Sequence, residues 1–250
     1  MTTLFQNYLQ KNNFTQFNLK AILFDMDGVL YDSMPAHAKS WQETMVEFGF
    51  QTTRPEDFYM HEGRPADSTI NLYFQKERGR DGTAEEIKEI YLRKTELFRK
   101  YHDGAVMPSA KEALDLTRRQ GLLPVLVTGS KQPSLLENLN QHFPGVFSRE
   151  NMVTAFDTKI GKPDPEPFLM GLEKAGNLKP NQALAIENAP LGTESATKAG
   201  LFTICVNTGP LPDKALTDAG ANIVFSSMTE LLESFPEILR IALTLKNNNL

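Results

Sequence analysis

The 250-residue chain is 40% apolar, contains one cysteine, and spreads a formal net charge of −5 over 26 basic and 31 acidic residues. This composition is typical of a globular protein with a substantial core. Its mixed charge argues against nucleic acid or an acidic membrane surface as the main partner. No apolar run approaches the roughly 18 residues of a membrane span, and the N-terminus lacks a secretory pattern. A lone Cys205 excludes an internal disulfide and suits a reducing compartment, so we expect a cytoplasmic protein. We also expect a monomer.

Six short apolar runs predict buried strands, and helical patterns separate the later ones. This alternation is typical of a parallel sheet with helices on both faces. We therefore expect an α/β fold with a doubly wound, Rossmann-like parallel sheet. The predicted strands are 21–24, 123–127, 152–156, 183–186, 202–206 and 222–225, and the predicted helices lie at about 108–120, 132–142, 164–176, 190–200 and 228–235.

The segment between the first two predicted strands has a different pattern. It contains no convincing strand but three helical patterns, the first with His37, Trp41 and Met45 on one face. This predicts an all-α cap domain inserted into the sheet domain. The predicted units are an N-terminal extension at 1–18, the α/β core at 19–35 and 103–240, the cap at 36–102 and a tail at 241–250.

Polar residues follow four of the predicted strands. The carboxyl ends of parallel strands meet at one edge of an open sheet, where ligands bind, so we expect these side chains to converge. Each has an ordinary alternative: the acids and Thr128 suit turns, Asn188 suits a helix cap, and lysine is commonly solvated. Their convergence favours a site. The residues are Asp25 and Asp27, Thr128 with Gly129 and Ser130, Lys162, and Glu187 with Asn188.

These residue types suit phosphoryl transfer. One carboxylate can attack phosphorus and carry the phosphoryl group, and a second carboxyl two positions on can move the proton. A hydroxyl and an ammonium, such as those of Thr128 and Lys162, can hold the oxygens that are not attacked. Carboxylates facing a phosphate need a cation, and hard oxygen ligands suit Mg²⁺. The expected cofactor is Mg²⁺ and the expected ligand is a small phosphorylated molecule.

The motifs "DMDGV", "VTGS", "GKPDPEPF" and "IENAPLG" occur in this order between residues 19 and 210. They resemble the four motifs of the haloacid dehalogenase superfamily, and the insertion resembles the helical cap of its β-phosphoglucomutase-like branch. The resemblance implies that Asp25 is the nucleophile and Asp27 the general acid/base. It also implies that Asp25, the backbone carbonyl of Asp27 and a residue of the last motif bind Mg²⁺. Thr128, Gly129 and Lys162 would then bind the phosphoryl group.

One position departs from the family's pattern. Members commonly carry aspartate where this chain has Asn188, so the metal site has one negative charge less. Glu187 beside it, or Glu62 in the cap segment "YMHEGRPADST", could supply that charge to the metal. The segments "MHEGR" and "IENAPLG" resemble a branch member that hydrolyses inorganic pyrophosphate. By that resemblance Glu62 binds the metal and Arg64 neutralises the leaving phosphate, whereas the ordinary alternative is a polar surface loop.

His37 is a further candidate. A histidine at a comparable place in the β-phosphoglucomutase branch assists proton transfer at the cap hinge. Because His37 shares a helical face with Trp41, packing explains it equally well.

Three functions stay open. The first is a Mg²⁺-dependent phosphohydrolase that works through an aspartyl-phosphate on Asp25, with pyrophosphate as the best substrate. The second is a phosphosugar mutase of the β-phosphoglucomutase type, but the arginine that grips the second phosphate there aligns with Pro65. The third is a non-catalytic protein that binds a phosphate ligand, and Asn188 is the feature that favours it.

Overall fold

A computed structural model describes residues 1–131 and 135–245. Its sheet has six strands in the order β3-β2-β1-β4-β5-β6, and every neighbouring pair is parallel. The predicted doubly wound parallel sheet is therefore confirmed. The strands are β1 Ala21–Phe24, β2 Leu123–Val127, β3 Met152–Val153, β4 Ala183–Glu187, β5 Phe202–Val206 and β6 Ile223–Phe225.

Helices cover both faces of the sheet because its central strands are apolar on both sides. In β1, Ile22 and Phe24 join one core cluster, and Ala21 and Leu23 join the other. The first cluster packs against α1, α6, α7 and α11, and the second against α8 and α9. These helices are α1 Thr2–Lys11, α6 Ala110–Arg119, α7 Leu135–His142, α8 Glu166–Lys174, α9 Pro190–Lys198 and α11 Met228–Thr244, and a short α10 spans Asp213–Asp218.

The segment between β1 and β2 is entirely described, and residues 34–101 contain four helices and no strand. They are α2 Met34–Glu47, α3 Pro55–Met60, α4 Ala66–Arg78 and α5 Ala84–Tyr101. Buried residues from all four, such as Met45, Phe58, Phe74 and Ile90, form a core cluster of their own. This agrees with the expected helical cap, with one helix (α3) more than the sequence patterns indicated. The domain boundaries stay predictions.

Both ends of the chain differ from expectation. The predicted N-terminal extension contains α1, whose Phe5, Tyr8 and Leu9 are buried in the core. Their spacing places them on one helical face. The predicted helix 228–235 continues to Thr244 because its apolar face continues through Ile241, so residues 241–244 belong to α11 rather than to a tail. Residues 246–250 lie outside the described residues.

Two internal elements also differ. The predicted strand 152–156 ends at Val153, because the N–H and hydroxyl of Thr154 both donate to the Asp157 carboxylate at 2.8 Å and start a turn. The first three positions of the predicted helix 132–142 lie outside the described residues, and α7 is observed from Leu135.

Candidate active site

Asp25 lies directly after β1, in the centre of the sheet. Its N–H donates to the carbonyl of Ile186 in β4 at 2.9 Å, so strand pairing continues up to this residue. The chain then turns at Gly28, where φ is +82°. The Asn188 side chain occupies the space where a Cβ on Gly28 would stand. The ends of β1 and β4 therefore pack closely, and Asp25 is 1% exposed.

Lys162 joins two of the predicted acids in a buried cluster. Its Nζ lies 2.5 Å from Asp25 Oδ1 and 2.6 Å from Glu187 Oε1. Burial alone would lower the pKa of Lys162, but the carboxylates of Asp25 and Glu187 raise it above its ordinary value. Burial and the Glu187 carboxylate raise the pKa of Asp25 to about 8, although Lys162 opposes them. Lys162 is therefore a charged partner for both acids.

Glu62 reaches this cluster from the cap. One oxygen from each of Asp25, Glu62 and Glu187 lies within 4.8 Å of the other two. Burial, and next the Asp25 carboxylate, raise the pKa of Glu62 well above its ordinary value. When all three acids are ionised, the single ammonium of Lys162 leaves two negative charges uncompensated. Protons or a divalent cation are needed to balance a buried excess of this kind.

Three buried oxygens in this region find no hydrogen-bond partner among the described residues: Asp25 Oδ2, Glu62 Oε2 and Asn188 Oδ1. Orphaned buried acceptors are uncommon in folded proteins, and carboxylate and amide oxygens are the ligands that Mg²⁺ prefers. This donor set therefore fits Mg²⁺. Glu187 fits less well as a ligand, because Lys162 and the Asn188 N–H (3.2 Å) engage its two oxygens.

Asp27 faces a separate set of polar groups. Its Oδ1 accepts a 2.5 Å hydrogen bond from Ser33 Oγ and lies 3.3 Å from His37 Nε2. Burial alone would raise the pKa of Asp27, but His37, the Ser33 hydroxyl and Lys94 outweigh it and lower the pKa to about 2. The predicted candidate His37 therefore contacts the predicted acid/base. Its ring also lies 4.1 Å from the Phe98 ring, so His37 packs in the cap as well.

Lys94 of α5 was missed by the sequence patterns. It is 7% exposed, and its Nζ lies 2.8 Å from His37 Nδ1, which places it behind the contact with Asp27. Burial lowers the pKa of Lys94 to about 8, although Asp27 opposes this shift. A signal was present, since Lys94 follows Ile90 by four residues and precedes Phe98 by four, on the apolar face of its helix.

Two of the predicted phosphate-binding residues, Thr128 and Gly129, directly follow β2. Thr128 is 3% exposed, and its Oγ1 accepts the N–H of Ser130 at 3.1 Å, so its hydroxyl can also donate a proton to a phosphoryl oxygen. Gly129 faces the cap: a Cβ built there would lie 3.4 Å from the carbonyl oxygen of Gly63. The cap segment beside Glu62 therefore rests on the loop after β2.

The chain can now be compared with known proteins. The family model of haloacid dehalogenase-like hydrolases matches residues 19–200. The chain belongs to this family of hydrolases. The match includes the acids after β1, Lys162 and the Glu187–Asn188 pair, so the protein is a haloacid dehalogenase-like enzyme in sequence as well as in fold.

Three similar proteins illustrate the range of this hydrolase family. A solved structure of a candidate beta-phosphoglucomutase from Bacteroides vulgatus is 51% identical, with a TM-score of 0.91, and the match covers 98% of this chain and 100% of that one. A phosphorylated carbohydrates phosphatase from Thermotoga maritima is 28% identical, over 88% of this chain and its own full length. A candidate pyrophosphatase from Caldanaerobacter subterraneus is 26% identical, over 86% of this chain and 94% of its own.

In this haloacid dehalogenase-like hydrolase the predicted substrate residue Arg64 lies two residues before α4. Its Nη1 donates to Ser68 Oγ at 3.1 Å, while its Nε is buried and has no partner within the described residues. The structure thus places Glu62 in the acidic cluster, whereas Arg64 hydrogen-bonds to the first turn of α4. Within the described ranges 1–131 and 135–245, no helix has the length and apolarity needed to cross a membrane.

Proposed function

We propose that this enzyme is a Mg²⁺-dependent phosphohydrolase whose substrate is inorganic pyrophosphate. The observation that carries the proposal is the meeting of Glu62 from the cap with Asp25 and Glu187 within 4.8 Å. A carboxylate delivered by the cap restores the negative charge that Asn188 does not supply. It also occupies space close to the nucleophile, which favours a small substrate.

The roles of the reacting groups follow from their contacts. The Asp25 carboxylate supplies both the attacking oxygen and a metal ligand: Oδ1 lies against Lys162, and Oδ2 has no partner within the part of the chain that the structure describes. Attack forms the O–P bond of an aspartyl-phosphate and releases the other phosphate. Water then attacks the phosphorus of that intermediate, Asp27 takes its proton, and the bond between the Asp25 oxygen and phosphorus breaks to release the second phosphate. Thr128 and Lys162 hold the phosphoryl oxygens during both steps.

Mg²⁺ would be held by Asp25, Glu62 and Asn188, with the backbone carbonyl of Asp27 as a further predicted ligand. When bound, it would neutralise charge between the carboxylates and the phosphoryl oxygens and so stabilise the transition state. The buried excess of negative charge is otherwise unfavourable, as the raised pKa values of Asp25 and Glu62 indicate.

The protonation state of Asp27 also favours pyrophosphate. Since the pKa of Asp27 is held near 2, its side chain is a carboxylate at neutral pH and has no proton to donate in the first step. A sugar alkoxide is a strongly basic leaving group and needs that proton. Phosphate is a weaker base and can leave as an anion, and the Asp27 carboxylate can accept the proton of water in the second step.

A phosphosugar mutase is the second candidate, because the structure from Bacteroides vulgatus carries that description. Such an enzyme must grip a second phosphate on the substrate. The position at which the branch carries its arginine is Pro65 here, and Pro65 Cγ packs 3.1 Å from a Cβ built on Gly161. No cation stands at residue 65, so the hydrolase is favoured.

The test is an assay of phosphate release and of sugar phosphate isomerisation with Mg²⁺. The substrates are pyrophosphate, β-glucose 1-phosphate and common sugar phosphates, with Asp25→Asn as the blank. We expect pyrophosphate to give the highest kcat/KM and Asp25→Asn to abolish it. Formation of glucose 6-phosphate faster than phosphate release would establish the mutase instead. If none of these substrates is turned over, the protein either acts on a substrate outside this panel or only binds a phosphate ligand. The cytoplasmic location and monomeric state stay predictions.

A further inference from the structure

Some core glycines are not explained by backbone conformation. Ten of the sixteen glycines have a positive φ, which favours glycine. Gly129, Gly161 and Gly209 are not among them, so their backbone would accept a side chain. The reason for glycine at these positions must therefore be the space around them.

All three glycines face one segment of the cap, residues 59–65, which we call the docking segment. They belong to three different core loops, after β2, before α8 and after β5. A Cβ built on each would lie 3.4 Å from Gly63 O, 3.1 Å from Pro65 Cγ and 2.6 Å from Tyr59 Cδ1, respectively. Glu62 lies within this segment, so these contacts flank the carboxylate that the cap contributes to the acidic cluster.

The contact between Tyr59 and Gly209 is the tightest of the three. A Cβ on Gly209 would also lie 2.9 Å from Tyr59 Cε1, well inside the roughly 3.5–4.0 Å of ordinary carbon contacts. The partly buried Tyr59 ring also packs against the cap core cluster. A methyl group at Gly209 would therefore strike a ring that the cap holds, and a shift of about 1 Å between the ring and Gly209 would be needed to restore an ordinary contact.

The loop that carries Gly209 is fixed to the catalytic loop. The hydroxyl of Thr208 donates to the carbonyl of Gly28 at 2.8 Å, one residue after Asp27. Within the loop, Asn207 Nδ2 donates to Leu211 O at 2.7 Å and to Asp213 Oδ1 at 2.6 Å. These hydrogen bonds hold Gly209 at a fixed position relative to the two catalytic acids.

We propose that Tyr59 and Gly209 are positioning residues. The Tyr59 ring packs on the backbone of Gly209, which has no side chain, and this contact sets how far the cap closes and where Glu62 lies. The inference rests on the proposed function only in the role it gives Glu62. Since a displacement of about 1 Å at a catalytic site can cost about 100-fold in rate, Gly209→Ala should lower kcat/KM by a factor of that order.

A double-mutant cycle tests this proposal. Gly209→Ala, Tyr59→Ala and the double variant are assayed for kcat/KM with pyrophosphate and Mg²⁺. Because Tyr59→Ala removes the ring that a methyl would strike, adding Gly209→Ala to it should change kcat/KM by less than about 3-fold. Gly82→Ala is the control, since its Cβ would lie 2.9 Å from Phe74 Cε2 inside the cap. It should lower stability without a dependence on Tyr59.

A second readout does not require activity. Spin labels on cysteines introduced at exposed Lys88 in the cap and Lys111 in the core report the cap–core distance, and buried Cys205 stays unlabelled. Gly209→Ala should lengthen that distance relative to the unaltered protein, whereas Gly82→Ala should not. Likewise, the double variant should show the same distance as Tyr59→Ala alone. If these shifts occur but pyrophosphate is not hydrolysed, the positioning role stands and the proposed substrate is wrong. If pyrophosphate is hydrolysed and Gly209→Ala matches the unaltered protein in rate and distance, the positioning role is overturned.

Discussion

The buried Lys94 offers a test of the polar network behind Asp27, through the change Lys94→Met. Burial lowers the pKa of Lys94 from 10.5 to about 8. At about 1.4 kcal/mol per pKa unit, keeping this ammonium charged in the folded protein costs about 3 kcal/mol below pH 8. Methionine fits a similar volume between the Phe98 and Trp41 rings without that cost. Loss of the hydrogen bond to His37 reduces the stability gained by this change by about 1 kcal/mol.

The variant should therefore be more stable than the unaltered protein by about 2 kcal/mol at pH 7. Between pH 8 and 10.5 the unfolded chain keeps a proton that folded Lys94 has lost, so the stability of the unaltered protein rises with pH through this range. Methionine has no proton to lose. The advantage of Lys94→Met should thus shrink as pH rises above 8, reach zero at about pH 9.5, be reversed at pH 10, and change no further above about pH 10.5.

Urea unfolding at pH 7, 8, 9 and 10 measures the difference. Lys88→Met is the matched control, because Lys88 is exposed on the same helix, and we expect its effect to stay within about 0.5 kcal/mol at every pH. A Lys94→Met protein that is less stable at pH 7, or whose difference from the unaltered protein does not change with pH, would show that burial does not lower the pKa of Lys94.

Three further predictions concern the site and the core. Without Mg²⁺, Asp25→Asn should be more stable than the unaltered protein at pH 7 by on the order of 2 kcal/mol. The reason is that the raised pKa of Asp25 makes the unaltered protein lose stability as pH rises from about 4 to 8. A loss of thermal stability in the variant would contradict this. Asp27→Asn should slow turnover by about 100- to 10,000-fold and leave radiolabelled phosphate on Asp25 in acid-quenched samples; a rate within tenfold of the unaltered enzyme would exclude the proposed role of Asp27. Phe5→Ala should cost about 3–5 kcal/mol in urea unfolding, since Phe5 stacks on Phe202 at 4.0 Å, whereas the 66% exposed Phe156 should tolerate alanine.

Much of the core could be predicted because the information is local. Each β strand is a short apolar run, and the residues after β1, β2 and β4 converge because parallel strands end at one edge of the sheet. The buried ion pairs of Lys162 follow from that convergence, but its two partners could not be chosen from the sequence. Residue spacing gives no distance between loops, so the separation of 2.5–2.6 Å required the structure.

The features that were missed depend on tertiary packing. Helix α1 looks polar, yet Phe5, Tyr8 and Leu9 lie on one face that the sheet covers. Lys94 interrupts an apolar helical face, and such a lysine is easily taken for a solvated residue until its burial is known. Tyr59 and Gly209 are 150 positions apart in the sequence, and no local sequence pattern indicates that they are in contact.

In the proposed metal site, Glu62 from the cap binds Mg²⁺ together with Asp25 and Asn188. Calorimetric titration of Mg²⁺ into the unaltered protein, Glu62→Gln and Glu62→Gln/Asn188→Asp tests this arrangement, with exposed Glu56→Gln as the control from the same cap. We expect Glu62→Gln to weaken Mg²⁺ binding by about 100-fold, the added aspartate to restore part of that loss, and the control to bind normally. Mg²⁺ affinity that is unchanged in Glu62→Gln would contradict the proposed metal site.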